Sequence, residues 1–491
     1  MDGTSTDGAG VDVIVLGAGP AGENVAGRCA RAGLAVAIVE RELVGGECSY
    51  WGCIPSKTLL RPGEVLAAAR RVPGAAAAVT GQLDVAAVLA RRDELVSDYH
   101  DDGQVPWLTE RGVELVRGTG RLTGRPREVR VSLADGGQRL LVASRAVVLA
   151  TGTRATIPPV PGLAEAEPWD NRSATGARHV PRSLVVLGGG AVGAELAQAF
   201  RRLGSESVTV VEGAPRLLAR EEEFVGDEVR AAFEAEGITV LVDTRATAVH
   251  RPPAHRVDQR RPQVSVQVTG PAGVVRELVV DEILVAAGRT PATDDLGLET
   301  IGSRPGGFVE VDEHLRARAV PEGWLYAVGD VCGRALLTHM GKYQARIAAD
   351  VIVGRHDSVG RPARDHSDGR AVPRVTFTDP QVAAVGLTER AAREAGLAVR
   401  TVRVPTGGVA GASVRGTGAV GTSMLVIEED RRVVVGATFT GADTQELLHA
   451  ATIAIVGEVS LDRLWHAVPA FPTVSEVWLR RNWSGSALIF G

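Results

Sequence analysis

The stretch Val11-Asp12-Val13-Ile14-Val15-Leu16-Gly17-Ala18-Gly19-Pro20-Ala21-Gly22 decides how this chain folds. Its first half is a short β-branched, apolar run, the pattern of a buried strand, and the glycines that follow predict a tight turn into a helix. A bound pyrophosphate needs that order of strand, glycine turn and helix start. The glycines let the backbone come close, and the helix N-terminus faces the negative charge. A second apolar run, Ala35 to Val39, ends in Glu40, near the spacing at which a carboxylate takes the ribose hydroxyls of a dinucleotide.

The same pattern occurs again further on. Leu184 to Leu187 reads as a strand, Gly188-Gly189-Gly190-Ala191-Val192-Gly193 as the turn, and a helix follows through Leu203. The next strand, Val208 to Val211, ends in Glu212. Two fingerprints mean two nucleotides, or one ancestral unit used twice. An acid at Glu212 should repel a 2′-phosphate and so favours NADH, although Arg216 and Arg220 nearby leave NADPH open.

Working outward, residues 58–118 show helical spacing, and Gly118, Thr119 and Gly120 are expected to lead from them into short alternating segments such as Glu128 to Leu133. Three more buried strands are predicted. Ala146 to Leu149 runs into Ala150-Thr151-Gly152, Glu282 to Ala286 into Ala287-Gly288, and Trp324 to Val328 into Gly329-Asp330. The prolines at 158, 159 and 161 mark a boundary. His250 to Pro262 reads as a solvated hairpin loop, and His356 to Arg370 as a polar inserted loop. Val375 to Thr378 and Val382 to Leu387 open a mixed domain that runs to the C-terminus.

Two of the four cysteines, Cys48 and Cys53, share the run Gly45 to Lys57 with four residues between them. Pro55 near the first position of a predicted helix would place Cys53 at the positive end of the helix dipole, which favours its thiolate. A structural disulfide or two buried thiols is the plainer reading of such a pair. The preceding fingerprint and the expected cytoplasmic setting point instead to a redox-active pair. Cys29 and Cys332 read as small buried hydrophobes.

Composition excludes several classes. The chain has 491 residues, 45% hydrophobic and 23% charged, with a formal net charge of −5. This gives no electrostatic case for nucleic acid or anionic membrane. No run of 18 apolar residues suggests a membrane span, and residues 1–10 carry neither a basic nor an apolar leader pattern and read as a disordered lead. No metal-ligand set is read from the sequence.

Taken together, the two glycine fingerprints, the Cys48/Cys53 pair with Ile54-Pro55-Ser56-Lys57, Ala150-Thr151-Gly152, Ala286-Ala287-Gly288-Arg289-Thr290-Pro291, Tyr326 to Asp330 and Phe377 to Glu389 give an ordered set. From Val11 to Arg480 the chain resembles the class I flavoprotein disulfide reductases, which include dihydrolipoamide dehydrogenase, glutathione reductase, mycothione reductase and mercuric reductase. The resemblance implies an α/β fold with two Rossmann-like dinucleotide-binding domains and a C-terminal α+β dimerisation domain. It places an FAD-binding domain at 11–157 and 287–353, an NAD(P)H-binding domain at 158–286, a loop or linker at 354–372 and an interface domain at 373–491.

By matching positions, the resemblance implies that Gly17, Gly19, Gly22 and Glu40 hold the ADP half of FAD, with Thr151, Gly152 and Gly329 beside them and Asp330 on the ribityl chain. Gly188, Gly190, Gly193, Glu212 and Gly288 would hold NAD(H) or NADP(H). Lys57, paired with Glu195, would sit by the flavin. Cys53 would be the charge-transfer thiol and Cys48 the interchange thiol that attacks a small-molecule or protein disulfide or thiol substrate. The whole would work as a cytoplasmic homodimer.

The sequence departs from this family at one decisive place. The family's C-terminal His-Pro-Thr-x-x-Glu supplies the acid-base for the interchange thiol, with the Glu orienting the His. Here Glu476 is kept, but Phe471 stands where the His belongs, and phenylalanine cannot move a proton. His466 is the nearest substitute in sequence. Glu47 stands where a Thr is usual, and Ser49, Tyr50, Trp51 and Gly52 are bulkier and more aromatic than the usual residues between the cysteines, which puts the family's small polar disulfides in doubt as substrates. Two alternatives stay open. One is electron transfer to a quinone or other flavin-level acceptor. The other is thiolate-driven C–C or C–S bond chemistry like that of 2-ketopropyl coenzyme M carboxylase, which is similar in replacing this His by Phe.

Overall fold

The computed structural model describes residues 10–253, 261–367 and 369–479. The expected disordered lead (except Gly10), the centre of the basic loop after His250, Asp368 and the tail from Arg480 lie outside the described residues. The chain divides into two units: Met1–Pro55 with Asp93–Arg154 and Arg289–Asp368, and Ser56–Arg92 with Ala155–Gly288 and Gly369–Gly491.

The first unit is built on five parallel strands in the order Val113–Leu122, Val36–Glu40, Val11–Leu16, Gln138–Leu149, Leu325–Ala327. The antiparallel strand Glu128–Leu133 joins the distal halves of two of them. Val11–Leu16 is flanked on both sides, Val13 facing Val36 and Ala146. Its residues are accordingly apolar in near-continuous runs, as a sheet covered on both faces requires. Ile14, Val15, Ile38, Val147 and Leu325 form the centre of the core, with Cys29 and Cys332 buried among them. From the first strand the chain turns into α1 (Pro20–Arg31). Two later helices frame the cysteines, α2 (Gly46–Tyr50) and α3 (Cys53–Arg71), so Cys53 is itself the first residue of a 19-residue helix.

One expectation needs correction. The stretch 58–118 is not helical throughout, because the strand Val113–Leu122 begins inside it, and Gly118, Thr119 and Gly120 lie within that strand rather than leading up to it. Close packing is the reason. A Cβ on Gly120 would lie 2.7 Å from Leu16 Cδ2 on the central strand. The predicted strand at Ala146–Leu149 is likewise the last third of a longer one, Gln138–Leu149.

The second unit holds a parallel sheet in the order Glu282–Val285, Ser183–Leu187, Ser207–Val211, Ile238–Leu241. The helix α4 (Ala191–Arg202) follows its Ser183–Leu187 strand. A three-stranded antiparallel ribbon, Arg245–His250, Val264–Thr269 and Val275–Val280, covers one side of that core. The C-terminal part is a five-stranded antiparallel sheet in the order Arg374–Thr376, Gln381–Gly386, Val433–Gly441, Thr422–Glu428, Val399–Pro405. The body of α3 belongs to this unit, with Leu59 and Leu60 packed against Val88, Ala199 and Leu203. Among the described residues no helix is long and apolar enough to cross a membrane.

Candidate functional site

The glycine turn after the first strand is shaped for close approach. Gly17 has a φ of +100°, and a Cβ there would lie 2.5 Å from the Ala150 carbonyl oxygen. A Cβ on Gly22 would collide with the Gly17 carbonyl oxygen, so only glycine lets α1 start this close to the strand. Gly19 is the N-cap of α1 and offers no side-chain cap, and a Cβ on it would meet nothing within 4 Å. The helix N-terminus therefore opens on a cradle with its first N–H groups uncommitted to side chains. Glu40 closes one edge, its Oε2 accepting from Ala18 N at 2.7 Å and its Oε1 from Glu42 N at 2.8 Å. Each oxygen keeps a second lone pair for a hydroxyl. On the neighbouring strand end, the buried Thr151 Oγ1 has no hydrogen-bond partner among the described residues. An open helix start, a carboxylate and an orphaned hydroxyl around one cleft fit a dinucleotide.

The arrangement recurs in the second unit. Gly190 caps α4 without a side-chain cap and faces open space, Gly188 has a φ of +112°, and Gly193 packs against Gly188. Glu212 repeats the part of Glu40, its Oε2 accepting from Gly189 N and its Oε1 from Ala214 N, each at 2.6 Å. Gly288 also has a positive φ, +127°.

Cys48 and Cys53 are both half-buried and are not joined in a disulfide. Cys53 Sγ lies 3.4 Å from Thr338 Oγ1. The Cys48 thiol is pushed up, first by its hydrogen bond to Cys53, then by burial and by repulsion from a negative charge on Cys53. Two thiols in hydrogen-bond contact share one negative charge more easily than two, and the member at the start of a long helix is the better place for it.

Around the first cradle, Asp330 is half-buried, and its withdrawal from solvent raises its carboxyl above the usual carboxylate range. It accepts a hydrogen bond from Thr153 Oγ1 at 2.9 Å. The same hydroxyl accepts from Arg289 Nε at 3.0 Å, and Arg289 Nη2 reaches Glu47 Oε1, also at 3.0 Å. The residue next to Cys48 is thus tied through Arg289 and Thr153 to Asp330. Lys57 and Glu195, paired by expectation, are 2.6 Å apart, with Glu195 almost wholly buried. Glu195 Oε1 also accepts from Phe377 N at 2.9 Å, and the Phe377 ring lies 4.8 Å from Lys57 Nζ.

Tyr50 does not line an opening. It is buried, and its hydroxyl donates to the carbonyls of Val44 at 3.0 Å and His100 at 3.3 Å. At the C-terminal motif Phe471 is exposed, as is His466. Glu476 Oε1 accepts from Thr473 N at 3.2 Å and Gly411 N at 3.4 Å, so its carboxylate holds its own turn in place.

Thr338, Thr153, Arg289 and Phe377 were not singled out from the sequence as site residues. Arg289 could have been, since it directly follows Gly288 in a recognised motif. Thr338 carried no such signal, because it meets Cys53 from 285 positions away.

The family model for pyridine nucleotide-disulphide oxidoreductases matches residues 11–348, and that for their dimerisation domain matches residues 372–481. A dihydrolipoyl dehydrogenase from Chlorobaculum tepidum is 33% identical over 483 residues, covering 97% of each chain. A mercuric reductase from Staphylococcus aureus is 30% identical over 468 residues, 95% of this chain and 80% of that protein. In fold, the HOCl-induced flavoprotein disulfide reductase RclA from Escherichia coli superposes with a TM-score of 0.80 at 24% identity, over 96% of this chain and 98% of its own. With two glycine cradles, a free thiol pair and these matches along nearly the whole chain, the protein belongs to the pyridine nucleotide-disulphide oxidoreductases, flavoproteins that use FAD and NAD(P)H.

Proposed function

We propose that the chain passes electrons from NAD(P)H to the Cys48/Cys53 pair, and from there to a disulfide or thiol substrate. The observation that carries this reading is the hydrogen bond of the Cys48 thiol, in α2, to Cys53, the first residue of α3, with no disulfide joining the two. In this reading Gly17, Gly19 and Gly22 at the start of α1 hold the FAD pyrophosphate, Glu40 a ribose, and Thr151, Gly152, Gly329 and Asp330 the remainder of the chain toward the flavin. Gly188, Gly190, Gly193, Glu212 and Gly288 hold the nicotinamide nucleotide, with Glu212 favouring NADH. The chemistry supplied by bound FAD is two-electron transfer between the nicotinamide and the thiol pair. Cys53 carries the thiolate, Lys57 is held by Glu195 one helical turn further along α3, and Cys48 attacks the substrate. These domain and residue roles follow the boundaries given above. The dimerisation-domain match, together with exposed Ile453, Val456, Trp465, Val468 and Phe471, supports a homodimer. Working thiols suit a reducing, cytoplasmic compartment.

Phe471 favours a second reading, in which electrons leave at the flavin to a quinone-like acceptor, because that route needs no proton relay at the thiols. Cys48→Ser separates the two. Loss of disulfide turnover with most quinone reduction kept supports the first, and disulfide turnover undiminished by the substitution would sink it.

A further inference from the structure

Three successive non-glycine residues, Ser97, Asp98 and Tyr99, hold positive φ angles of 52°, 48° and 61°. This left-handed turn is strained for L-residues, and such strain persists only where the surroundings over-determine it. Here they do. Tyr99 N donates to Val96 O at 3.0 Å and His100 N to Ser97 O at 2.8 Å, while the His100 carbonyl accepts from the Tyr50 hydroxyl. Next along the chain, Asp101 Oδ2 accepts from Val44 N at 2.7 Å and from Arg117 Nη2 at 2.6 Å. The outcome is a single placement: the Tyr99 ring stacks on Trp51, with centroids 6.1 Å apart and planes 27° from parallel.

Trp51 is the residue that ends α2, between Cys48 within that helix and Cys53 at the start of the next. Tyr50, 5.6 Å from Trp51, is buried and hydrogen-bonded as a structural post. Trp51 and Tyr99 are only partly buried. Both keep part of their surface accessible, which a pure packing role for the strained turn would not require.

We infer that Trp51 and Tyr99 form a stacking wall beside the thiol pair that selects disulfides carrying planar aromatic groups. This rests on the disulfide reading above. The lost acid-base points to the same substrate class independently. A disulfide breaks without acid assistance when its leaving thiol is itself acidic, and aromatic thiols leave readily as thiolates. In the step, the Cys48 thiol passes its proton along its hydrogen bond to the Cys53 thiolate and attacks one sulfur of Ar–S–S–Ar, forming Cys48–S–S–Ar and releasing ArS⁻. Cys53 then loses that proton to water and its thiolate attacks Cys48 Sγ, releasing the second ArS⁻ and forming the Cys48–Cys53 disulfide. Two electrons pass from the thiol pair to the substrate, and neither leaving sulfur needs a proton from Phe471.

The test compares uncharged 2,2′-dipyridyl disulfide with aliphatic bis(2-hydroxyethyl) disulfide in the NADH-driven holoenzyme. Trp51→Val and Tyr99→Leu should each lower the aromatic-to-aliphatic ratio of kcat/KM about three- to tenfold, mainly through KM, and Tyr99→Phe should restore it. Calorimetric binding of pyridine-2-thione to the oxidised holoenzyme should weaken by a similar factor, a readout that needs no turnover. If Trp51→Val does not fold, Tyr99→Leu decides. An unchanged ratio with unchanged thione binding overturns the wall. Dipyridyl disulfide reduction that survives Cys48→Ser overturns instead the disulfide reading beneath it.

Discussion

At the scale of single residues, Phe471 carries the most direct test of the proposed chemistry. Phe471 is 77% exposed and its side chain cannot move a proton, while the Glu476 carboxylate nearby in the chain accepts from Thr473 N and Gly411 N. Phe471→His should therefore raise turnover of an aliphatic disulfide such as lipoamide by about ten- to a hundredfold. That is short of the full worth of a general acid-base, about 10²–10⁴, because the carboxylate must be shared. A steady-state assay with lipoamide decides it, and no gain with any disulfide would mean that the position is not a lost acid-base. The Glu47–Arg289 pair shows the same economy of single side chains. The acid beside Cys48 is accommodated because an arginine from another segment reaches it at 3.0 Å.

Among the elements, α4 does more than pack. Glu195, Gln198 and Arg202 stand at helical spacing on one face and grip two residues, Phe377 and Asp379, of the segment before the Gln381–Gly386 strand. Glu195 takes Phe377 N, Gln198 takes both the N–H of Asp379 at 2.7 Å and its carbonyl at 3.0 Å, and Arg202 takes the Asp379 carboxylate at 2.9 Å. Gln198 is fully buried. Gln198→Leu would strand the part-buried N–H and carbonyl of Asp379 together and should cost about 1–3 kcal/mol, read as a lower urea midpoint with an unchanged slope. A cost under about 0.5 kcal/mol would show that the clamp contributes nothing to stability. The helix itself was legible, because a strand, a glycine turn and an apolar stripe lie within one short window of chain. Its polar grip was not, since the partners of that face lie as far as 182 positions away.

For the whole molecule, the exposed apolar side chains of the C-terminal part call for a cover. Ile453 and Val456 on the helix Leu448–Val456 are each 56% exposed, and Val468 is 79% exposed. A second copy of the chain is the expected cover, and Ile453→Glu should convert a dimer to a monomer in sedimentation at micromolar concentration without loss of secondary structure. A wild-type chain that sediments as a monomer would remove the basis for this.

Read by itself, the sequence determined the strand–glycine–helix cradles and the paired cysteines at a helix start. Each depends on residues adjacent in the chain, where backbone geometry and side-chain chemistry act locally. It misplaced Gly118 and Gly120 because their need for glycine comes from neighbouring strands. Only the tertiary structure decided that Thr338 lies against Cys53, that Arg289 joins Glu47 to Thr153, that Phe377 covers Lys57 and that Tyr99 stacks on Trp51. Those contacts join segments far apart in sequence, and they exist only once burial of the sheets has fixed where each segment runs.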